Sequence, residues 1–306
     1  MTRIEKPYAL ALDIGGGHVT AARVDLHKRT VLPGEVHRTV DPNASADALL
    51  NAWAAAALEA LAGDGHGPPA RIGIAVPSPF DHAAGVSWMT HKFVALHGVD
   101  VRGGLQDCWV GTVLDGVPLT FGNDADLFTL GEWWGGAARG TGRVIGVTLG
   151  TGLGSGFVAG GLVITSGPDV PPDGELWNVP YGGGIAEDFA SGQAVRRAYQ
   201  SSRHEDYSAS AAGIAALADA GDMRARAAYA ELGTHLGGIL APWVAQFRPD
   251  AVVFGGNVAR AWKHFQPTLE AALPGVSCQL TTHFEASALL GAAALGNGKL
   301  HSEERT

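Results

Sequence analysis

The chain has 306 residues, a net charge of −9, and 46% hydrophobic against 17% charged residues, which excludes a disordered chain and leaves apolar material for one large core or two medium ones. Its five lysines and 16 arginines form no cluster beyond the pairs Lys28-Arg29 and Arg196-Arg197, so the basic footprint of a nucleic-acid binder is missing. Two cysteines, Cys108 and Cys278, cannot staple a fold of this size and suit a reducing compartment; with no leader visible, the expectation is a soluble, cytoplasmic protein.

Tyr8–Ile14 reads as an apolar strand running into Gly15-Gly16-Gly17-His18, and Val19–Val24 as the strand that returns. Ser45 is placed to cap a helix reaching about Ala62 and stopped by Gly63, with Leu50, Trp53, Ala57 and Leu61 on one stripe. Arg71–Val76 is a strand ending at Pro77-Ser78-Pro79. A loop-rich stretch, Asp81 to Gly104, carries Trp88, His91, Lys92, His97 and Asp100. Val117–Phe121 is a strand entering Gly122-Asn123-Asp124, and Asp124 opens a helix reaching Glu132.

The second half repeats the opening. Val144–Leu149 is a strand, Gly150–Gly156 a glycine turn, and Phe157–Val163 the returning strand. The 22 uncharged residues Val144–Thr165 imitate a membrane span, but their seven glycines and several threonines argue for strand, turn and strand. Ser166–Gly184 is loop, Ile185–Tyr199 helix, and Ser201–Ser208 a polar, mobile stretch. Two helices follow, the second from Met223 to Phe247 with Pro242 inside. Ala251–Phe254 is a strand entering Gly255-Gly256-Asn257, Glu285–Leu295 a helix, and His301–Thr306 a polar tail. This is an α/β pattern with two related lobes. The expected boundaries are 1–121 and 122–284, with a C-terminal helix over 285–298 packing back on the first lobe.

Three segments carry chemistry. A strand that delivers Asp13 into a run of glycines exposes backbone N–H groups; such a nest binds phosphate oxygens, and the carboxylate holds Mg²⁺ through water. A plain hairpin explains the same residues. Thr148-Leu149-Gly150-Thr151-Gly152-Leu153-Gly154-Ser155-Gly156 alternates glycine with hydroxyls in the same manner, and a strand rather than a helix follows it, unlike a dinucleotide fingerprint. Asp124, at a strand end between the lobes, is placed either as a general base or as a helix cap.

Taken in order, these segments resemble the ROK family of sugar kinases, within the superfamily of actin-like ATPases. The resemblance rests on Asp13-Ile14-Gly15-Gly16, Gly73–Asp81, Asn123-Asp124-Ala125 with Gly131-Glu132, Leu149–Gly154, Gly255-Gly256 and Ser287–Ala293. It implies two actin-like, ribonuclease H-like lobes with a cleft between them, and an enzyme that phosphorylates a sugar hydroxyl with ATP and Mg²⁺. It further implies that Asp124 is the base. Asp13 would hold Mg²⁺ through water, and the nucleotide would lie on Gly15, Gly16, Gly17, Gly150, Thr151, Gly152, Gly154, Gly255, Gly256 and Asn257. Pro77, Ser78, Asn123, Asp124, Glu175, Asn178 and Glu187 would hold the sugar. A homodimer is the family's usual assembly; neither nucleic acid nor membrane is an expected partner.

Three departures from the family pattern stand out. Asn178 replaces the usual histidine, and no cysteine lies between it and Glu187, so no structural zinc is expected. Gly17-His18 stands where the family has Thr-Lys, removing a hydroxyl and a cation. Trp88–Phe93 stands where a sugar-side asparagine is usual, so His91 and Lys92 either face a substrate or are simply solvated. A polyphosphate-dependent kinase and a non-catalytic sugar sensor are the competing readings. The sensor is disfavoured by the presence of Asp124 and by the 12 residues before Asp13, too few for the DNA-binding domain of the family's repressors.

Overall fold

The computed structural model describes residues 8–62, 67–201 and 209–295. The Gly63 stop, the polar stretch beyond Ser201, the last residues of the 285–298 helix and the tail His301–Thr306 lie outside the described residues. Two compact units form, Met1–Gly135 with Glu285–Thr306, and Gly136–Phe284. The break thus falls after Gly135 rather than after residue 121.

In the first unit, β1 (Tyr8–Gly15) and β2 (His18–Asp25) form an antiparallel hairpin, with β3 (Thr30–Val31) and β4 (Val36–Thr39) both on β2. The capped helix α1 (Ala46–Glu59) follows, Ser45 accepting the Ala48 N–H. It ends at Ala60, short of the expected Ala62, with Trp53 and Ala57 fully buried. Next come β5 (Ile72–Val76), the short pair β6 (Phe80–Asp81) and β7 (Val86–Ser87), helix α2 (Val101–Trp109), β8 (Leu119–Asn123) and α3 (Asp124–Trp134). The main sheet runs β3-β2-β1-β5-β8, with β5 parallel to both β1 and β8. Helix α2 corrects the loop expected up to Gly104. Its first turn contains Gly103 and Gly104, poor helix formers; a methyl group at 104 would strike the Leu50 side chain of α1, and one at 103 the Asp100 carboxylate that caps the helix.

The second unit repeats this order. β9 (Arg143–Leu149) and β10 (Leu153–Ala159) form the hairpin, with β11 (Leu162–Val163) outside it. After the short pair β12 (Pro180–Tyr181) and β13 (Gly184–Ile185) come helices α4 (Ala186–Phe189), α5 (Gly192–Ser201), α6 (Ala211–Asp219) and α7 (Met223–Phe247). β14 (Ala251–Gly255), α8 (Trp262–Ala272) and β15 (Cys278–Leu280) complete it. The sheet runs β11-β10-β9-β14-β15, with β14 parallel to β9 and β15. The expected helix Ile185–Tyr199 is two helices, broken at Ala190-Ser191. No helix among the described residues is long and apolar enough to cross a membrane.

The C-terminal helix Glu285–Ala294 belongs to the first unit. It lies so close to α3 and β5 that three glycines have no room for a side chain. A methyl group at Gly131 would overlap the Ser287 carbonyl, at Gly291 the Leu127 carbonyl, and at Gly73 the Ala292 carbonyl. Between the two helices the buried Ser287 hydroxyl donates to the buried Glu132 carboxylate. This packing explains the shifted boundary, because it ties α3 to the first unit. Overpacking such a contact costs about 1–3 kcal/mol or more. Gly131→Ala is therefore expected to destabilise the chain by at least about 2 kcal/mol, read as a lower denaturant midpoint; a wild-type midpoint would refute the close contact.

Candidate active site

The candidate residues of the first unit gather at the carboxyl ends of its parallel strands, where ligands bind in open α/β sheets. Register puts Asp13 of β1 beside Ala75 of β5, and Val76 of β5 beside Asn123 of β8. Pro77 is buried and Ser78 half-buried just past β5. Asn123, not Asp124, is the cap of α3: its Oδ1 accepts the N–H groups of Ala125 at 2.9 Å and Asp126 at 3.2 Å. Its Nδ2 donates to Ser78 Oγ at 2.9 Å. Asp124 is the first helical residue, and its carboxylate also accepts the Ala125 N–H at 2.9 Å.

Both aspartates are half-open at the surface yet desolvated by the protein around them. Burial, then the charges of Asp124 and Glu285, push the Asp13 carboxyl up to about 7. Burial also raises Asp124 above the ordinary carboxylate range, while the Lys92 charge and the N–H groups of Ala125 and Asp124 pull it part of the way back. Asp13 has no hydrogen-bond partner among the described residues. A carboxylate so placed fits a cation, which would restore its charged form. Among the described residues there is no group of three or more His, Cys, Asp or Glu side chains that could hold a metal ion.

The first turn is the two-residue hairpin Gly16-Gly17, closed by Gly15 opposite His18. The His18 ring folds over Gly15, leaving no room for a methyl group there, and stacks on His37 at 5.0 Å. Gly16 is a glycine the fold does not require. Its φ is not left-handed, and a methyl group there would meet only the Lys92 stem, at 3.8 Å. Backbone left bare in this way suits the close approach of a phosphate.

In the second unit the turn is shorter than expected: β10 starts at Leu153, so only Gly150–Gly152 turn and Gly154 sits in the ladder opposite Thr148. Gly150 repeats the Gly16 case, since its φ is not left-handed and a methyl group would meet nothing within 4 Å. Thr151 is exposed. Gly255 pairs with Thr148 at the same strand ends, and Gly256, at φ +81°, approaches the Leu149 carbonyl so closely that a methyl group would lie 2.5 Å from it. Asn257 is exposed beyond it and accepts a hydrogen bond from Arg260 at 3.4 Å.

The expected sugar-side acids of this unit have definite partners. Glu187, next to the start of α4, reaches the second turn: its Oε2 accepts the Leu153 N–H at 2.9 Å and fills the space a methyl group at Gly152 would need. Glu175 accepts the Trp177 indole N–H at 2.5 Å, and Asn178 is exposed. The Ser155 hydroxyl, read in the sequence with the phosphate turn, is buried and spent on the loop bearing Glu175, donating to the Gly174 carbonyl at 2.8 Å and accepting the Leu176 N–H at 2.9 Å.

The ROK family model matches residues 9–301 of this chain. The chain belongs to the ROK family. A glucokinase of Thermotoga maritima is 27% identical to this ROK protein over 212 residues, 62% of the chain and 64% of the glucokinase, so the chain spans somewhat under two thirds of that curated relative's length. The ROK hexokinase of Thermus thermophilus superposes with a TM-score of 0.73 at 25% identity, covering 94% of this chain and 97% of that one. A ROK glucokinase of Streptomyces griseus, solved with glucose and AMPPNP, superposes at 0.72 with 23% identity over 94% and 98%. The fold is the actin-like α/β fold of these ROK kinases.

In this ROK protein the raised Asp13 pKa has a measurable consequence. The folded chain holds a proton on Asp13 that the unfolded chain has lost, so stability falls as pH rises from the ordinary carboxylate range near 4 to about 7. Asp13→Asn removes that cost. Its gain in melting temperature over the parent, both free of ligand, is expected to be larger at about pH 8 than at about pH 5; an equal shift at both would show that Asp13 titrates normally.

Proposed function

We propose that this ROK protein transfers the terminal phosphoryl group of ATP to a hydroxyl of a sugar, with Asp124 as general base. The observation that carries the reading is the pair of desolvated carboxylates at the ends of β1 and β8, the strands on either side of β5. Asp13 leads into a bare glycine turn, and Asp124 stands on the first residue of a capped helix. A carboxylate raised above its ordinary range accepts a proton more readily near neutral pH. As the hydroxyl oxygen bonds to the phosphorus and the bond to the departing ADP breaks, the hydroxyl proton passes to Asp124.

Phosphoryl transfer needs positioning and charge neutralisation more than covalent help. The residues fit that division. Asn123 and the α3 backbone hold Asp124 in place. Asp13 and the bare backbone at Gly16 suit a magnesium-bound phosphate; the ion's role there is to neutralise negative charge. Gly150 offers similar bare backbone in the second unit. Ser78, Glu175 and Glu187 are acceptors of the kind that bind vicinal hydroxyls. The glucokinase and hexokinase relatives support a hexose as acceptor, and the AMPPNP complex of the Streptomyces enzyme supports ATP as donor.

An ADP-release assay with Mg·ATP across hexoses, hexosamines and cyclitols, beside polyphosphate as donor, tests the reading. A sugar-dependent signal is expected with ATP; silence throughout, with sugars still raising the melting temperature, would point to a sensor. Asp124→Asn is expected to cut kcat by about 10²- to 10⁴-fold and to leave the acceptor's Kd near that of the parent. Unchanged turnover would remove Asp124 from the mechanism.

A further inference from the structure

Lys92 lies in the loop that the sequence left undecided between substrate and solvent. Its neighbours fix that loop into the core. Met89 and Phe93 are buried, and Phe93, at φ +46°, packs edge-on against Trp53 with ring centroids 5.4 Å apart. From this anchored backbone the half-buried Lys92 side chain runs over the first glycine turn. A methyl group at Gly16 would touch Cε at 3.8 Å and Cδ at 3.9 Å. Its charge acts on the Asp124 carboxylate. Among the described residues Lys92 forms no ion pair, whereas Lys263 is bound to Asp219 at 2.9 Å.

The turn itself supplies no lasting charge. Burial and the neighbouring His37 lower the pKa of His18, which Glu285 only partly offsets, so near neutral pH the imidazole is uncharged. Its ring is committed to Gly15 and His37. A polyanion at this turn would therefore face the carboxylates of Asp13 and Asp124, and Lys92 is a cation whose side chain lies against the turn. A charge held in advance on an anchored loop costs little reorganisation when a phosphoryl group arrives.

We propose that Lys92 is a catalytic residue of this site, its ammonium contacting the phosphoryl group in transfer between Gly16 and Asp124. The proposal rests on reading the Gly15–Gly17 turn as the phosphate contact. It assigns Lys92 to the donor and not to the acceptor sugar.

Calorimetry with sodium tripolyphosphate and with Mg·AMPPNP tests it on the wild type, Lys92→Gln and Lys92→Arg, each first shown to melt as the wild type does. One charge-assisted contact predicts about tenfold or greater weakening of both ligands in Lys92→Gln, with Lys92→Arg recovering most of the loss. In the turnover assay kcat/KM for ATP should fall in Lys92→Gln while KM for glucose, or for whichever acceptor the panel identifies, holds. Wild-type affinity for tripolyphosphate in Lys92→Gln would overturn the proposal, as would an effect confined to the acceptor's KM or a wild type that binds neither probe. The two failures are distinguishable. Lys92-dependent tripolyphosphate binding with no sugar phosphorylated would sink the kinase reading and, with it, the catalytic role, leaving Lys92 a phosphate contact only. Normal sugar phosphorylation by Lys92→Gln would overturn the role of Lys92 and keep the kinase reading.

Discussion

The absence of three side chains holds the first unit together. At Gly73, Gly131 and Gly291 the backbones of β5, α3 and the C-terminal helix meet where not even a methyl group fits. Close approach of this kind gives many dispersion contacts and leaves the Ser287–Glu132 hydrogen bond sealed from water. The arrangement of the site depends on it. Helix α3 begins with Asp124, and its seat against the C-terminal helix aims that carboxylate along the strand ends where Asp13 also emerges.

The same physics decides which glycines report on function. The chain has 44 of them, and residue type alone does not sort them. Gly131 and Gly291 serve helix packing, Gly15 and Gly152 make room for the side chains of His18 and Glu187, and Gly256 needs a left-handed φ. Gly16 and Gly150 do none of these. Positions where a side chain is permitted sterically and conformationally, yet none is present, are the ones that suit a ligand's approach to the main chain.

Much of this was legible in the sequence. The strands around the two glycine turns show as short apolar runs bounded by turn residues, because both faces of each sheet's centre are buried. The order of the motifs pointed to the family, and Asp13 and Asp124 stood out as acids at strand ends. Other features were hidden because they depend on tertiary contacts. Helix α2 is masked by Gly103 and Gly104, whose small size answers to Asp100 and Leu50. The Ser155 hydroxyl looked free within its glycine run, but its partners are Gly174 and Leu176, some twenty residues on. Asn123 and Asp124 are both good caps by type, and only the backbone angles at the head of α3 decide between them. Lys92 could not be distinguished from a solvated lysine until the loop's burial at Met89 and Phe93 was known.

The first unit is discontinuous, being built from both ends of the chain around an uninterrupted second unit. During synthesis the segment 136–284 leaves the ribosome with its sheet and helices complete. Glu285–Ala294, which covers β5 and α3, follows that segment in the chain. Nascent chains fold domain by domain from the N-terminus as a rule; here the segment up to Gly135 cannot complete its packing on Glu285–Ala294 until the intervening unit has been made.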